Sequence, residues 1–364
     1  MLSADVTERQ LLDQFLEALN ALPGVQARLD PPLHLNEPVR GYDARVELQV
    51  SGKTATLLID VKKVLYPRDA RQALWQFQEF SRRWRQFSDG RKPMSFLVAQ
   101  SISPGAKDLL EDERVGYYDS GGSLFLPADD IYVYVAKPPP KNLSKSIRSL
   151  FQGRRAQVLH VLLMRHTEWL GVKETAEQAR VSSATASQVL TRLETFDWVV
   201  SRGQGPTKER HLREPGALLD EWARQLAVMR PLGLRRYFVP SLRAEGLIQK
   251  FAQVCTANEA EYAITHEAAG QRYAPFLSAV SQVRCRMMLG APADGVLAAL
   301  NAHVVSQGAN LAVIDVKSPG ELLFRYLIDG IWLASPVQVY LDLMRGEGRT
   351  RELAKHLRQE RIGF

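Results

Sequence analysis

Cysteine is nearly missing from this 364-residue chain: Cys255 and Cys285 are the only two, and they lie far apart. Such usage excludes a disulfide framework and a cysteine-based zinc site, and it fits a reducing compartment. Long apolar runs are absent as well. The longest, such as "VLHVLLM", fall well short of the ~20 residues that span a bilayer, so no membrane partner is expected. The first residues, "MLSADVTERQLLDQFLEAL", carry acids where a signal peptide needs lysines. The expected location is therefore the cytoplasm.

Several catalytic patterns are missing too. "RGQG" lacks the Gly-Lys-Ser/Thr ending of a nucleotide loop, and "THEAAGQRYAP" lacks the second histidine of a zinc-protease helix. His160 and His166 share one helical run at a spacing that does not converge on a metal. No Ser/His/Asp arrangement is discernible. The six tryptophans sit in apolar patterns and are expected in cores.

What the chain does contain is an uneven charge. Its formal net charge is +7, and residues 141–235 alone hold 16 Lys/Arg against 9 Asp/Glu. Residues 1–140 are slightly acidic and residues 236–364 nearly balanced. A basic middle segment points to a polyanionic partner.

The pattern of elements predicts a multidomain α/β protein. A mixed α/β domain is expected over 1–137 and a Pro-rich linker over 138–146, where "PPPKNLSKS" favours an extended spacer. A winged helix-turn-helix is expected over 147–230 and a mixed α/β domain over 231–364. The N-terminal helix presents Leu11, Leu12, Phe15, Leu16 and Leu19 on one face. "DARVELQV" and "TATLLIDVKKV" are β-rich runs joined by the hairpin signal "SGK". A helix with Ala73, Leu74, Phe77, Phe80 and Trp84 on its apolar stripe follows, then the strand "MSFLVAQ".

In the middle segment three helical runs precede a basic hairpin. The third, "SSATASQVLTRLETFDW", has Ser182 or Ser183 as its N-cap and buries Ala186, Leu190 and Leu193. Small polar residues at its start let the helix end approach phosphates and base edges. Ser182, Ser183, Ser187, Gln188 and Arg192 are the candidate DNA contacts. Gln188 has the chemistry to read adenine, and Arg192 to read guanine or a phosphate. Arg202, Lys208 and Arg210 on the hairpin are expected to reach the DNA backbone or a narrow minor groove. A winged helix that binds protein instead is the alternative.

In the first segment, Asp60 and Lys62 of "IDVKK" share one strand face because side chains alternate. Asp43, at the start of the preceding strand, faces them across the hairpin. Asp43 and Asp60, with the Val61 carbonyl, form a candidate Mg2+ site. Lys62 is placed to orient water, and Arg71 and Gln72 to contact phosphate. "NLAVIDVKSP" repeats Asp-Val-Lys at Asp315–Lys317, where Pro319 and Gly320 end the strand and no hairpin partner supplies an acid. That copy is expected to be a strand end. The bland alternative for Asp60 and Lys62 is a surface ion pair on a fold that binds without cutting.

The order helix, hairpin with D…DxK, helix, strand resembles the PD-(D/E)XK nuclease fold. It departs from that pattern in lacking a proline before Asp43 and in carrying Asp rather than Glu as its second acid. "SISPGAKDLLEDERVGYYDSGGSLFL", "LREPGALLDEWARQ", "YAITHEAAGQRYAP" and "DGIWLASPVQVYLDLMRGEGRTRELAKHLRQE" together, in this order, resemble the AbiEi family of type IV toxin–antitoxin antitoxins. The resemblance implies a bacterial transcriptional regulator that binds its own promoter. Its functional partner would be a nucleotidyltransferase toxin. Homo-oligomer contacts or stabilised operator binding are the roles expected of the C-terminal domain, and no cofactor would be required beyond Mg2+ at an intact nuclease-like site. Two activities follow as expectations: sequence-specific binding of double-stranded DNA, or metal-dependent DNA cleavage guided by the winged helix.

Overall fold

A computed structural model of the chain describes residues 7–30, 42–50, 52–84, 93–128, 131–229, 233–240 and 244–364, leaving the side chains of 81–84 and 142 outside the description. Trp84, expected on an apolar stripe, is among those. The protein is α/β, with 13 α-helices and three sheets among the described residues. It divides into two compact units, Met1–Ile147 with Leu193–Asp197, and Arg148–Arg192 with Trp198–Phe364. The segments expected as separate domains over 147–230 and 231–364 therefore fall largely within one unit.

The first unit opens with α1 (Glu8–Asn20), started by a capping box in which Thr7 and Gln10 satisfy each other's backbone N–H. Leu11, Phe15 and Leu19 are buried, and Leu12 and Leu16 pack at the margin. Strands β1 (Val25–Leu29), β2 (Ala44–Val50) and β3 (Lys53–Leu65) form an antiparallel meander. Strand β1 was not expected, because "VQARL" is too short and mixed to show a clear period. Helix α2 (Pro67–Trp84) then leads to β4 (Met94–Ile102), parallel to β3. After α3 (Pro104–Asp112) come β5 (Gly116–Asp119), β6 (Leu124–Pro127) and β7 (Tyr132–Val135), completing a seven-stranded sheet in sequence order.

Two apolar layers cover this sheet. Phe15, Val46, Ile59, Val61 and Val98 form one with α1, while Ala73, Leu74, Phe77, Leu97 and Ala99 form the other with α2. Trp75, expected in a core, is 65% exposed. The predicted linker also needs correction. Only the prolines are extended: α4 runs over Lys141–Arg148 and buries Leu143 and Ile147.

The second unit begins with a 3-10 turn (Ser149–Phe151) and α5 (Gly153–Met164), which buries Val158, Val161 and Leu162. A two-residue strand β8 (Leu170–Gly171), α6 (Val172–Ala179), α7 (Ser183–Thr195), β9 (Val199–Arg202) and β10 (Glu209–Leu212) follow. These strands form a small antiparallel sheet in the order β8-β10-β9. Helix α8 (Pro215–Val228) leads to a second seven-stranded sheet.

That sheet is mixed, in the order β14-β11-β15-β13-β12-β17-β16. Its elements are β11 (Leu234–Phe238), α9 (Ala244–Ala257), β12 (Tyr262–Thr265), α10 (His266–Tyr273), β13 (Val283–Met288), α11 (Ala291–Ala299), β14 (His303–Val304), β15 (Leu311–Val316), β16 (Tyr326–Ile328) and β17 (Ile331–Leu333). A 3-10 turn over Pro319–Leu322 leaves β15. Helix α12 (Pro336–Leu343) is capped by Ser335, whose Oγ accepts the Gln338 N–H at 3.1 Å. Helix α13 (Arg349–Leu357) follows.

Candidate nucleic-acid interface and paired-carboxylate site

The β2–β3 hairpin carries the first candidate site. Gly52 takes φ +83°, a left-handed conformation that glycine adopts at little cost, and Val50 pairs with Lys53 across a two-residue turn. That register runs unbroken to Ala44 opposite Ile59, so the next step faces Asp43 with Asp60. The Asp43 N–H donates to the Ile59 carbonyl at 2.8 Å, and the Val61 N–H donates to Asp43 Oδ2 at 2.7 Å. Lys62 Nζ donates to Asp60 Oδ1 at 2.6 Å.

Asp60 is buried, 7% exposed, on the same face of β3 as Lys62. Burial pushes its carboxyl pKa up, Lys62 pulls it down, and the nearby Asp43 carboxyl pushes it up again; the balance is upward. Asp43, Asp60 and Lys62 are therefore brought together. Gln72 is exposed on α2, and Arg71 is ion-paired with Asp197 at 2.5 Å.

The second Asp-Val-Lys lies elsewhere and has another role. Asp315, in β15, receives both Nε (2.8 Å) and Nη2 (2.6 Å) of Arg235 on its Oδ1, a charged tie to β11. Lys317 is exposed beyond the strand end.

The "YDSGGSL" turn is also structural. Asp119 is 1% exposed and accepts the Ser123 N–H, while Lys107 Nζ reaches Asp119 and Ser123, each at 2.6 Å. Asp119→Ala strands a buried ammonium and is expected to cost about 3–5 kcal/mol. Urea denaturation of the variant measures this, and a loss below ~1 kcal/mol would contradict a buried pair.

The helices and small sheet of the second unit hold the candidate DNA contacts. Helix α6 ends at Arg180, a left-handed C-cap (φ +53°), and α7 begins three residues later. Ser182 is the N-cap, its Oγ accepting the Thr185 N–H at 3.2 Å. No acid occupies the first turn of α7. The positive dipole end of the helix therefore has no carboxylate of its own in the first turn to offset its attraction for anions. Ser183 and Gln188 are exposed and Ser187 and Arg192 half-buried, opposite the fully buried Ala186, Val189, Leu190 and Leu193.

On the hairpin, Arg202 lies over the Trp169 ring (4.4 Å to its centroid), while its Nε donates to Glu209 at 2.7 Å. Trp169 in turn stacks on His211. Lys208 is half-buried. Arg210 departs from expectation: it is 6% exposed, and its Nη1 donates to the Lys208 carbonyl. The reason is alternation. On the central strand β10, Arg210 shares its inward face with Leu212, while Glu209 and His211 point the other way.

A buried polar set in the C-terminal sheet gave no signal in the sequence, since its members are scattered along the chain. Arg286 on β13 donates to Asp342 on α12 from Nη2 (2.6 Å) and Nε (3.0 Å), and Thr265 and Gln338 donate to the same carboxylate. Burial opposes the charge on Asp342, but Arg286 holds its pKa below the usual value.

Nearby, His160 lies 2.6 Å from Ser335 Oγ, and burial lowers its pKa to about 4; burial does the same to His266. In the unfolded chain each takes up its proton near pH 6.5. Between pH 6.5 and 4 the unfolded state therefore binds more protons, and stability falls as pH falls. The expected loss is about 3 kcal/mol per histidine across that window. Urea midpoints at pH 7, 5.5 and 4.5 test it, with His160→Gln expected to flatten the trend.

No family model, curated protein or solved structure matches this chain. Among the described residues no helix is long and apolar enough to cross a membrane, and no three His, Cys, Asp or Glu residues form a metal-holding group.

Proposed function

We propose that this chain is a sequence-specific regulator that binds double-stranded DNA through α5–α7 and β8–β10, a winged helix-turn-helix. The observation that carries it is the acid-free N-terminus of α7, presented by a three-residue turn after α6. The order helix, strand, helix, helix, strand, strand and the sheet order β8-β10-β9 are those of winged-helix domains. The charge excess in residues 141–235 supplies the long-range attraction to phosphate. Ser183, Ser187, Gln188 and Arg192 read the major groove, and Arg202, pre-oriented by Trp169 and Glu209, contacts the DNA from the wing. Lys208 adds a backbone contact. In line with the resemblance to AbiEi antitoxins, the target is the chain's own promoter. The functional partner is a nucleotidyltransferase toxin that need not be touched directly, and the regulator binds as a homo-oligomer.

Gel retardation with the duplex upstream of the gene and a scrambled control tests this. Preferential retention of the upstream duplex is expected, and equal retention of the scrambled one overturns it. For ~6–10 phosphate contacts, affinity should drop about 10³–10⁵-fold between 50 and 200 mM salt.

A second function is favoured by the meeting of Asp43, Asp60 and Lys62. The order α1–β1–β2–β3–α2–β4, with β3 parallel to β4, is compatible with a PD-(D/E)XK core. A divalent cation between two carboxyl groups offsets their mutual repulsion. Asp43 and Asp60 would hold Mg2+, and Lys62 would orient the attacking water or offset charge on the phosphorane. Shortened duplex is expected only with Mg2+ or Mn2+, and neither with EDTA nor in Asp60→Ala or Lys62→Ala. Uncut duplex in every lane assigns the hairpin to scaffold.

A further inference from the structure

We infer that the second unit contains a binding site for a small organic monoanion with a flat apolar body. A cavity of about 450 Å³ lies where α5, α8 and the 3-10 turn before α5 face α12 and the 3-10 turn after β15. Its volume is that of a typical small-molecule pocket, and its composition has the required two halves. Phe151, Trp222, Leu226 and Met229 give one wall aromatic and apolar surface.

The opposite side is ionic, and its charges do not cancel. Arg148, Arg286 and Arg345 line the cavity against Asp342 and Glu321. Asp342 is committed to Arg286 through two hydrogen bonds, and Glu321 accepts the Lys317 N–H. His160 also lines the space and is held neutral by burial. Among the described lining residues, cations thus outnumber acids by one. Arg345, whose Nη2 donates to the Met229 carbonyl at 3.2 Å, is partly desolvated: burial lowers its pKa, the Asp342 carboxylate opposes that lowering, and Arg286 adds to it. An entering carboxylate or sulfonate adds an anionic acceptor beside that guanidinium, and a planar ring beside Trp222 fills the apolar half. A dianion exceeds the available charge, and a neutral polar molecule leaves the apolar wall wet.

The pocket binds without DNA, so its test is independent of the DNA-binding proposal. Two shape-matched fluorescent probes are titrated into the full-length protein: 1-anilinonaphthalene-8-sulfonate and uncharged N-phenyl-1-naphthylamine. One saturable site per chain is expected, with about tenfold preference for the sulfonate. Ala156→Trp, which projects an indole from α5 into the cavity, should abolish binding of both probes at an unchanged melting temperature. Arg345→Gln should remove the preference while leaving the neutral probe bound. Absence of saturable binding, equal affinity for the two probes, or binding undiminished in Ala156→Trp at native melting temperature overturns the inference. If Ala156→Trp melts early, the comparison of the two probes in wild type and Arg345→Gln decides alone.

Discussion

Asp342→Ala is expected to cost about 3–5 kcal/mol of stability, a large share of what a domain of this size possesses. The guanidinium of Arg286 is 7% exposed and the carboxylate 4%. Removing the acid leaves a buried cation facing the hydroxyl of Thr265 and the amide of Gln338, both of which have lost their acceptor. The damage comes from the stranded charge more than from the lost attraction. The double variant Arg286→Met/Asp342→Leu should therefore recover much of the loss, because desolvating two ions is itself costly. Urea denaturation followed by tryptophan fluorescence reads all three proteins. A double variant no more stable than Asp342→Ala would contradict this account.

Ser183→Glu should have a comparably large effect on DNA and an opposite one on the helix. Ser183 is exposed at the first position of α7, where a carboxylate complements the dipole and adds about 0.3–1 kcal/mol to helix stability. In the proposed DNA complex the same carboxylate would meet phosphate oxygens, a like-charge encounter that costs several kcal/mol. Operator affinity is expected to fall by ~100-fold or more, while the melting temperature holds or rises. Fluorescence anisotropy at fixed salt measures the first and a thermal scan the second. Unchanged affinity would remove the N-terminus of α7 from the interface.

Among the candidate DNA contacts, the sequence misplaced Arg210 for a specific reason. Cations in a Gly/Pro-rich hairpin read as exposed, and strand alternation alone does not say which face is inward when one neighbour is a two-residue strand. Strand β8 is that neighbour, and its pairing with Arg210 through Leu170 makes β10 central. The Pro-rich stretch misled in a similar way: Pro138–Pro140 do break the chain, yet Leu143 and Ile147, four apart, were the apolar stripe of α4.

Local chemistry determined much of this protein. The period of two over "TATLLIDVKK" placed Asp60 and Lys62 on one face, and the "SGK" turn set the register that brings Asp43 opposite Asp60. Likewise the serines before α7 announced its cap and its open end. These features depend on residues close in sequence, whose geometry follows from backbone dihedrals and short-range hydrogen bonds. Only the tertiary structure decided the rest. Arg286 and Asp342, Lys107 and Asp119, and the walls of the arginine-lined cavity come from segments separated along the chain. Their meeting depends on sheet order and helix packing. So too for the two Asp-Val-Lys copies: one tripeptide faces a second carboxylate and the other an arginine, because a neighbouring strand, not the tripeptide, supplies the partner.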